Sequence, residues 1–112
     1  MRFLSLLAAL LLLSACGQQA SDEIEFFTHN GCPYCEKALK YIQINYPKLP
    51  IKVMEIGSQE NMKKFVRCAR RFKLNTQQLG TPLICMKNHY LMGWSPENQD
   101  KFNTYVKEII KK

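Results

Sequence analysis

The segment HNGCPYCEKAL, residues 29–39, sets two cysteines two residues apart, with a proline directly after the first. Such a pair serves one of three chemistries: electron exchange, metal binding or a plain covalent staple. Ahead of it, Ile24-Glu25-Phe26-Phe27-Thr28 is a short β-prone run and reads as a strand. Behind it, Cys35, Ala38, Leu39, Ile42 and Tyr46 fall at i, i+3, i+4, i+7 and i+11, one face of a helix. Pro33 suits the first turn of that helix, where a missing N–H costs nothing. Pro47 and Pro50 then end it. A strand therefore runs into a helix through the cysteine pair.

That placement bears on the chemistry. Thiol–disulfide exchange needs a thiolate nucleophile and a second thiol to resolve the mixed disulfide. Cys32 falls at or just before the helix N-terminus, where unpaired backbone N–H groups stabilise a thiolate and lower its pKa. Cys35 opens the apolar stripe one turn later and is expected to point toward the core. The spacing predicts an asymmetric pair in which Cys32 attacks and Cys35 resolves. For metal, the motif supplies two ligands where a structural zinc site takes four. There is no second CxxC, and His29, His89, Cys68 and Cys85 would have to be gathered by the fold. As a staple, so small a ring adds little chain-entropy stabilisation.

Downstream, Ile51 to Ile56 alternates and reads as a second strand. A helix is expected over residues 59–73. Met62, Phe65, Val66, Ala69 and Phe72 share one face, Lys63, Lys64, Arg67, Arg70 and Arg71 lie opposite, and Cys68 falls at the border. The polar stretch from Asn75 to Gly80 leads into an apolar strand, Pro82 to Met86. Lys87-Asn88-His89 is the turn to a returning strand, Tyr90 to Met92, and Gly93-Trp94 closes the hairpin. In the last helix Ser95 is the expected N-cap, with Pro96 in the first position and Glu97 and Asp100 near the start. Phe102, Tyr105, Val106, Ile109 and Ile110 form its expected buried stripe. The order is β-α-β-α-β-β-α.

Length and charge frame this reading. The 112 residues are too few for two ordinary domains, and the formal net charge is +7. Phe3 to Leu13 is an almost unbroken apolar run behind Arg2. As a helix it reaches about 16 Å, short of the ~30 Å of a bilayer core, so it reads as a secretory signal and not a membrane span. Leu13-Ser14-Ala15-Cys16 follows directly and resembles the lipobox of bacterial lipoproteins, in which the cysteine is acylated. Ordinary cleavage near Ala15 is the alternative. The expected division is a signal peptide over 1–15, a lipidated tether over 16–22 and a folded domain over 23–112. Residues 17–23 span at most about 25 Å, so the domain is expected close to its membrane. Export permits disulfides, and with Cys16 given to lipid four cysteines remain.

Cys32-Pro33-Tyr34-Cys35 after a strand, in this element order, resembles a glutaredoxin of the thioredoxin superfamily. Gly80-Thr81-Pro82 resembles the cis-proline loop of that family. The resemblance covers residues 23–112. It implies an α/β fold with a four-stranded mixed sheet flanked by helices, and thiol–disulfide oxidoreductase activity at Cys32 and Cys35. It implies substrate contacts by Pro33, Tyr34, Thr81 and Pro82, and no metal or organic cofactor beyond a redox partner. That partner is an exported protein bearing disulfides or thiols, or glutathione. His29-Asn30-Gly31 and Gly93 to Glu97 depart from the lysine and the Gly-Gly-acidic pattern with which many glutaredoxins hold glutathione. The stretch from Gly80 to Trp94 also resembles the catalytic domains of Dsb-type disulfide isomerases, so an isomerase or oxidase is the alternative, and a non-catalytic binding lipoprotein a further one. A monomer on the periplasmic face of a bacterial envelope, lipid-anchored at Cys16 and without nucleic-acid partners, is the expected setting.

Other residues carry two readings each. His29, three positions before Cys32, is either a solvated loop histidine or a cation that lowers the thiol pKa. Cys85 reads as a small buried hydrophobe, with a Cys68–Cys85 disulfide as the alternative. Trp94 lines the substrate groove or joins the core. The basic face of the second long helix is a solvated face, or attracts acidic substrates or anionic lipid headgroups.

Overall fold

A computed structural model describes residues 23–110. The expected signal peptide, tether and Cys16, together with Lys111 and Lys112, lie outside the described residues. The first strand, β1 (Ile24–Thr28), is apolar on both faces and takes an inner place in the sheet. Phe26 and Phe27 point to opposite faces and neither is exposed at all. Burying a phenylalanine fully stabilises by about 1.5–3 kcal/mol, so both layers of the fold are anchored on this strand.

The helix α1 (Pro33–Asn45) follows, then β2 (Ile51–Glu55), α2 (Gln59–Arg71), β3 (Leu83–Cys85), β4 (Tyr90–Met92) and α3 (Pro96–Ile110). The order is the expected one. The sheet runs β2-β1-β3-β4, with β1 parallel to β2 and antiparallel to β3, and β3 antiparallel to β4. On one face Ile24, Phe26 and Ile84 pack with Cys35, Ala38 and Ile42 of α1 and with Phe102 and Val106 of α3. On the other, Phe27, Met54, Leu83 and Cys85 pack with Phe65 and Cys68 of α2. Both clusters lie wholly within residues 24–109, so this stretch has a core of its own.

α3 is tied to the hairpin by polar contacts. Ser95 Oγ accepts from Asn98 N at 3.1 Å as the expected N-cap, and Asn98 Nδ2 donates to the carbonyls of Met92 and Gly93. Between α1 and α3, the Tyr41 and Tyr46 hydroxyls donate to Asn103 Oδ1 at 2.8 and 2.7 Å. Burial first, and Tyr41 second, push the Tyr46 phenol above its usual range.

Several expectations need correction. Ile110, in the last turn of α3, is 60% exposed and not part of the buried stripe. Met62 is 40% exposed in the first turn of α2. Cys68 is buried and not at a border, and it is joined to Cys85 in a disulfide that ties α2 to β3. Cys85 is therefore a cross-link and not a free hydrophobe. α2 ends at Arg71, two residues before the expected Lys73. Leu74 N donates to Ala69 O and Lys73 N to Arg70 O, a paired C-terminal motif that puts Lys73 in the left-handed region at φ 59. A side chain there costs about 1–2 kcal/mol. Lys73→Gly is expected to stabilise the fold by roughly 1 kcal/mol, read as a shift of the urea midpoint at constant slope; an unchanged midpoint would refute it.

Candidate active site

Gly31, at φ 78, turns the chain from the end of β1 into Cys32, a conformation open to glycine at little steric cost. Cys32 is the N-cap of α1 and Pro33 its first residue. The Cys32 N–H donates to His29 O at 3.1 Å, so the recorded contact of His29 is made by its backbone, while its ring belongs to an exposed residue. The Cys35 N–H donates to Cys32 Sγ at 3.2 Å. That donor and the positive end of the helix dipole both favour negative charge on this sulfur.

Burial separates the two cysteines as the spacing predicts. Cys35 is 1% exposed and belongs to the cluster under α1 and α3, whereas Cys32 is half-buried. The two form a disulfide. Pro33 and Tyr34 are exposed beside them, Tyr34 by 56%, so Cys32 sits on an open face.

The loop before β3 closes over this face. The Thr81–Pro82 peptide bond is cis, and Pro82 is buried while Thr81 is half-buried. Thr81 Oγ1 approaches Cys32 Sγ at 3.5 Å, and Sγ lies 3.8 Å from Thr81 O, a contact to which only the reduced thiol can donate. Cys32, Cys35, Thr81 and Pro82 are thus brought together across 49 residues of sequence. Gly80 N, next in the loop, points at Met92 Sδ at 3.3 Å. Met92, 36% exposed, edges the site and no sequence signal singled it out; its place follows from the pairing of Leu83 with Met92 in the hairpin.

The remaining cysteines and histidines are not gathered here. Cys68 and Cys85 are consumed by their own disulfide, and His89 stacks on Tyr105 with ring centroids 3.9 Å apart and bonds to Glu108. Among the described residues, no group of three or more His, Cys, Asp or Glu side chains is placed to hold a metal ion. Trp94 packs on Tyr41 and Phe102, at 5.7 and 6.0 Å between centroids, on the core side. Among the described residues, no helix is long and apolar enough to cross a membrane.

No family model matches this sequence, and no curated protein matches it either. Among solved structures the chain is similar to a glutaredoxin from Archaeoglobus fulgidus. The two are 15% identical with a TM-score of 0.54, over 76% of this chain and 95% of that one. Four strands in one mixed sheet, helices on both faces and this likeness establish the fold: it is α/β and glutaredoxin/thioredoxin-like.

Proposed function

We propose that this chain is an exported, membrane-anchored thiol–disulfide oxidoreductase that uses Cys32 and Cys35 to reduce or exchange disulfides in envelope proteins or in glutathione mixed disulfides. The observation that carries the reading is the asymmetry of the pair. Cys32 is reachable at a helix N-terminus under Thr81, while Cys35 is 1% exposed directly behind it. In the reducing direction the Cys32 thiolate attacks one sulfur of a substrate disulfide. A Cys32–substrate disulfide forms and the other substrate sulfur leaves as a thiolate, taking up a proton. The Cys35 thiolate then attacks Cys32 Sγ, the Cys32–Cys35 disulfide forms, and the second substrate thiolate departs. Two electrons pass from the dithiol to the substrate, and oxidation is the same sequence reversed.

Export is supported independently by the Cys68–Cys85 disulfide. A buried structural cross-link of this kind persists in oxidising compartments and is rare where glutathione and thioredoxin keep thiols reduced. Anchoring rests on Leu13-Ser14-Ala15-Cys16 and the short tether behind it.

Trapping tests the assignment. The Cys35→Ser protein, mixed with oxidised envelope proteins, is expected to accumulate mixed disulfides that run as heavier bands on non-reducing gels and vanish with Cys32→Ser. Absence of such bands at equal protein folding would sink the enzymatic reading and leave a binding module. The reduction potential of the pair then assigns direction. Values near −120 to −180 mV sit with oxidants and isomerases, and values near −200 to −270 mV with glutaredoxins and thioredoxin.

A further inference from the structure

The end of the domain opposite Cys32 collects features that the redox site does not use. β1 begins there at Ile24, whose N–H bonds to Pro50 O, so the N-terminal segment enters at that end. The turn from Met86 to His89 lies there too, since Cys85 pairs with Glu25, and Arg71 reaches it by donating to Met86 O. α1, α2 and α3 all start at the site end and finish at this one.

Charge follows the same axis. Glu36, Glu60 and Glu97 sit in the first turns of the three helices, and Glu55 ends β2 beside Asn30. The opposite end carries Lys48, Arg70, Arg71, Lys73, Lys87 and Lys107 in last turns and connecting loops. Of the acidic groups at that end, Glu108 is engaged by His89, Glu25 lies on β1, and Glu23 is exposed just ahead of it, leaving the basic residues in excess. Between the lysines, Tyr46, Pro47, Leu49, Pro50, Ile109 and Ile110 line an open groove of about 640 Å³, with Ile110 60% exposed.

We propose that this basic, apolar-centred end is a docking surface for an anionic lipid bilayer. Lys48 in the groove and the other basic residues of this end, beside exposed Ile110, Pro47 and Pro50, match a negatively charged headgroup layer over an acyl boundary. The chain that enters here leads within about 25 Å to Cys16, so a lipid anchored at that residue would hold this same end against the bilayer. Docking turns the Cys32 face outward, toward soluble or projecting partners. The surface deepens the anchoring proposed above and rests on that reading.

Vesicle flotation of the Gln18 to Lys112 chain, whose core is self-contained, tests the surface without any lipid on the protein. Binding is expected to phosphatidylcholine vesicles containing phosphatidylglycerol, not to phosphatidylcholine alone, and to weaken with salt. Lys48→Gln and Lys107→Gln should each lower the partition about fivefold. Lys63→Gln with Lys64→Gln, twice the loss of charge of either but near the start of α2, should change it less than about twofold. In a second measurement, Ile110→Trp is expected to be quenched by brominated acyl chains, while Trp94, the chain's one tryptophan, is not. No binding to the anionic vesicles, equal loss in the α2 variant, or equal quenching of Trp94 would each overturn the proposal. Fatty-acid labelling of Cys16 in cells reads the anchor separately. A labelled chain without vesicle binding loses only the surface, and an unlabelled chain that still binds loses only the anchor.

Discussion

Cys32→Ser is expected to leave no disulfide exchange above the uncatalysed background. A serine hydroxyl at the α1 N-cap keeps the hydrogen bond from Cys35 N but is not ionised near neutral pH, and oxygen forms no mixed disulfide. The fold should survive, because serine is a preferred N-cap and Cys32 contributes only at the edge of its cluster. Cys35→Ser should behave differently: the first attack persists and only resolution fails. In the reduced protein, iodoacetamide should modify Cys32 first, with Cys35 resisting until the protein unfolds, because it is 1% exposed. Steady-state reduction of a protein disulfide, with unfolding curves for each variant, separates the two roles. Equal losses from both substitutions, with equal labelling, would overturn the assignment of attacker and resolver.

Replacing both Cys68 and Cys85 with alanine is expected to cost about 3 kcal/mol of stability, the loop-closure value for a cross-link of this separation. For a domain of this size that lowers the melting temperature by roughly 12–24 °C. Both cysteines are almost fully buried and lie among Phe27, Phe65 and Leu83, so alanine adds no unsatisfied polar group there. The loss is that of the covalent link plus a small cavity. The Cys32–Cys35 disulfide closes a far shorter loop, so removing that pair in the same way should shift the midpoint much less. A melting temperature within a few degrees of the parent after loss of the first pair would show that the cross-link does not hold the folded chain together.

These two effects differ in how far the sequence announces them. The asymmetry of Cys32 and Cys35 is local: a strand end, a proline at the first helical position and an apolar stripe starting at Cys35 are all within one turn of each other. The order of elements is legible for the same reason, since Pro47, Pro50, Ser95 and Pro96 mark helix ends through their own backbone chemistry. The partnership of Cys68 with Cys85 is not local. Pro82 to Met86 is buried throughout, so periodicity cannot say which of its residues faces α2. Only the pairing of β3 between β1 and β4 puts Leu83 and Cys85 on that side and Ile84 on the other. The position of Thr81 over Cys32 was reachable only through the family resemblance, because nothing in a Thr-Pro dipeptide names a partner 49 residues away. Ile110 shows the remaining limit: an amphipathic stripe states a direction, not how far along the helix burial extends.

The two-sided burial of β1 leaves this strand with an ambiguity that its neighbours do not share. A half-buried strand is held in place by alternation, since sliding it by one residue turns its apolar side outward. With Phe26 and Phe27 both buried, a slipped β1 would still bury aromatic surface on each face. What distinguishes the two arrangements is Glu25, which shares the Phe27 face in the native pairing and is only partly covered. One step of slippage would carry its carboxylate among Phe102, Val106 and Ile42, all apolar, where burying a charge is costly. A single acidic residue therefore works against misassembly, guarding the uniqueness of the native state by what it forbids and not by any contact it makes.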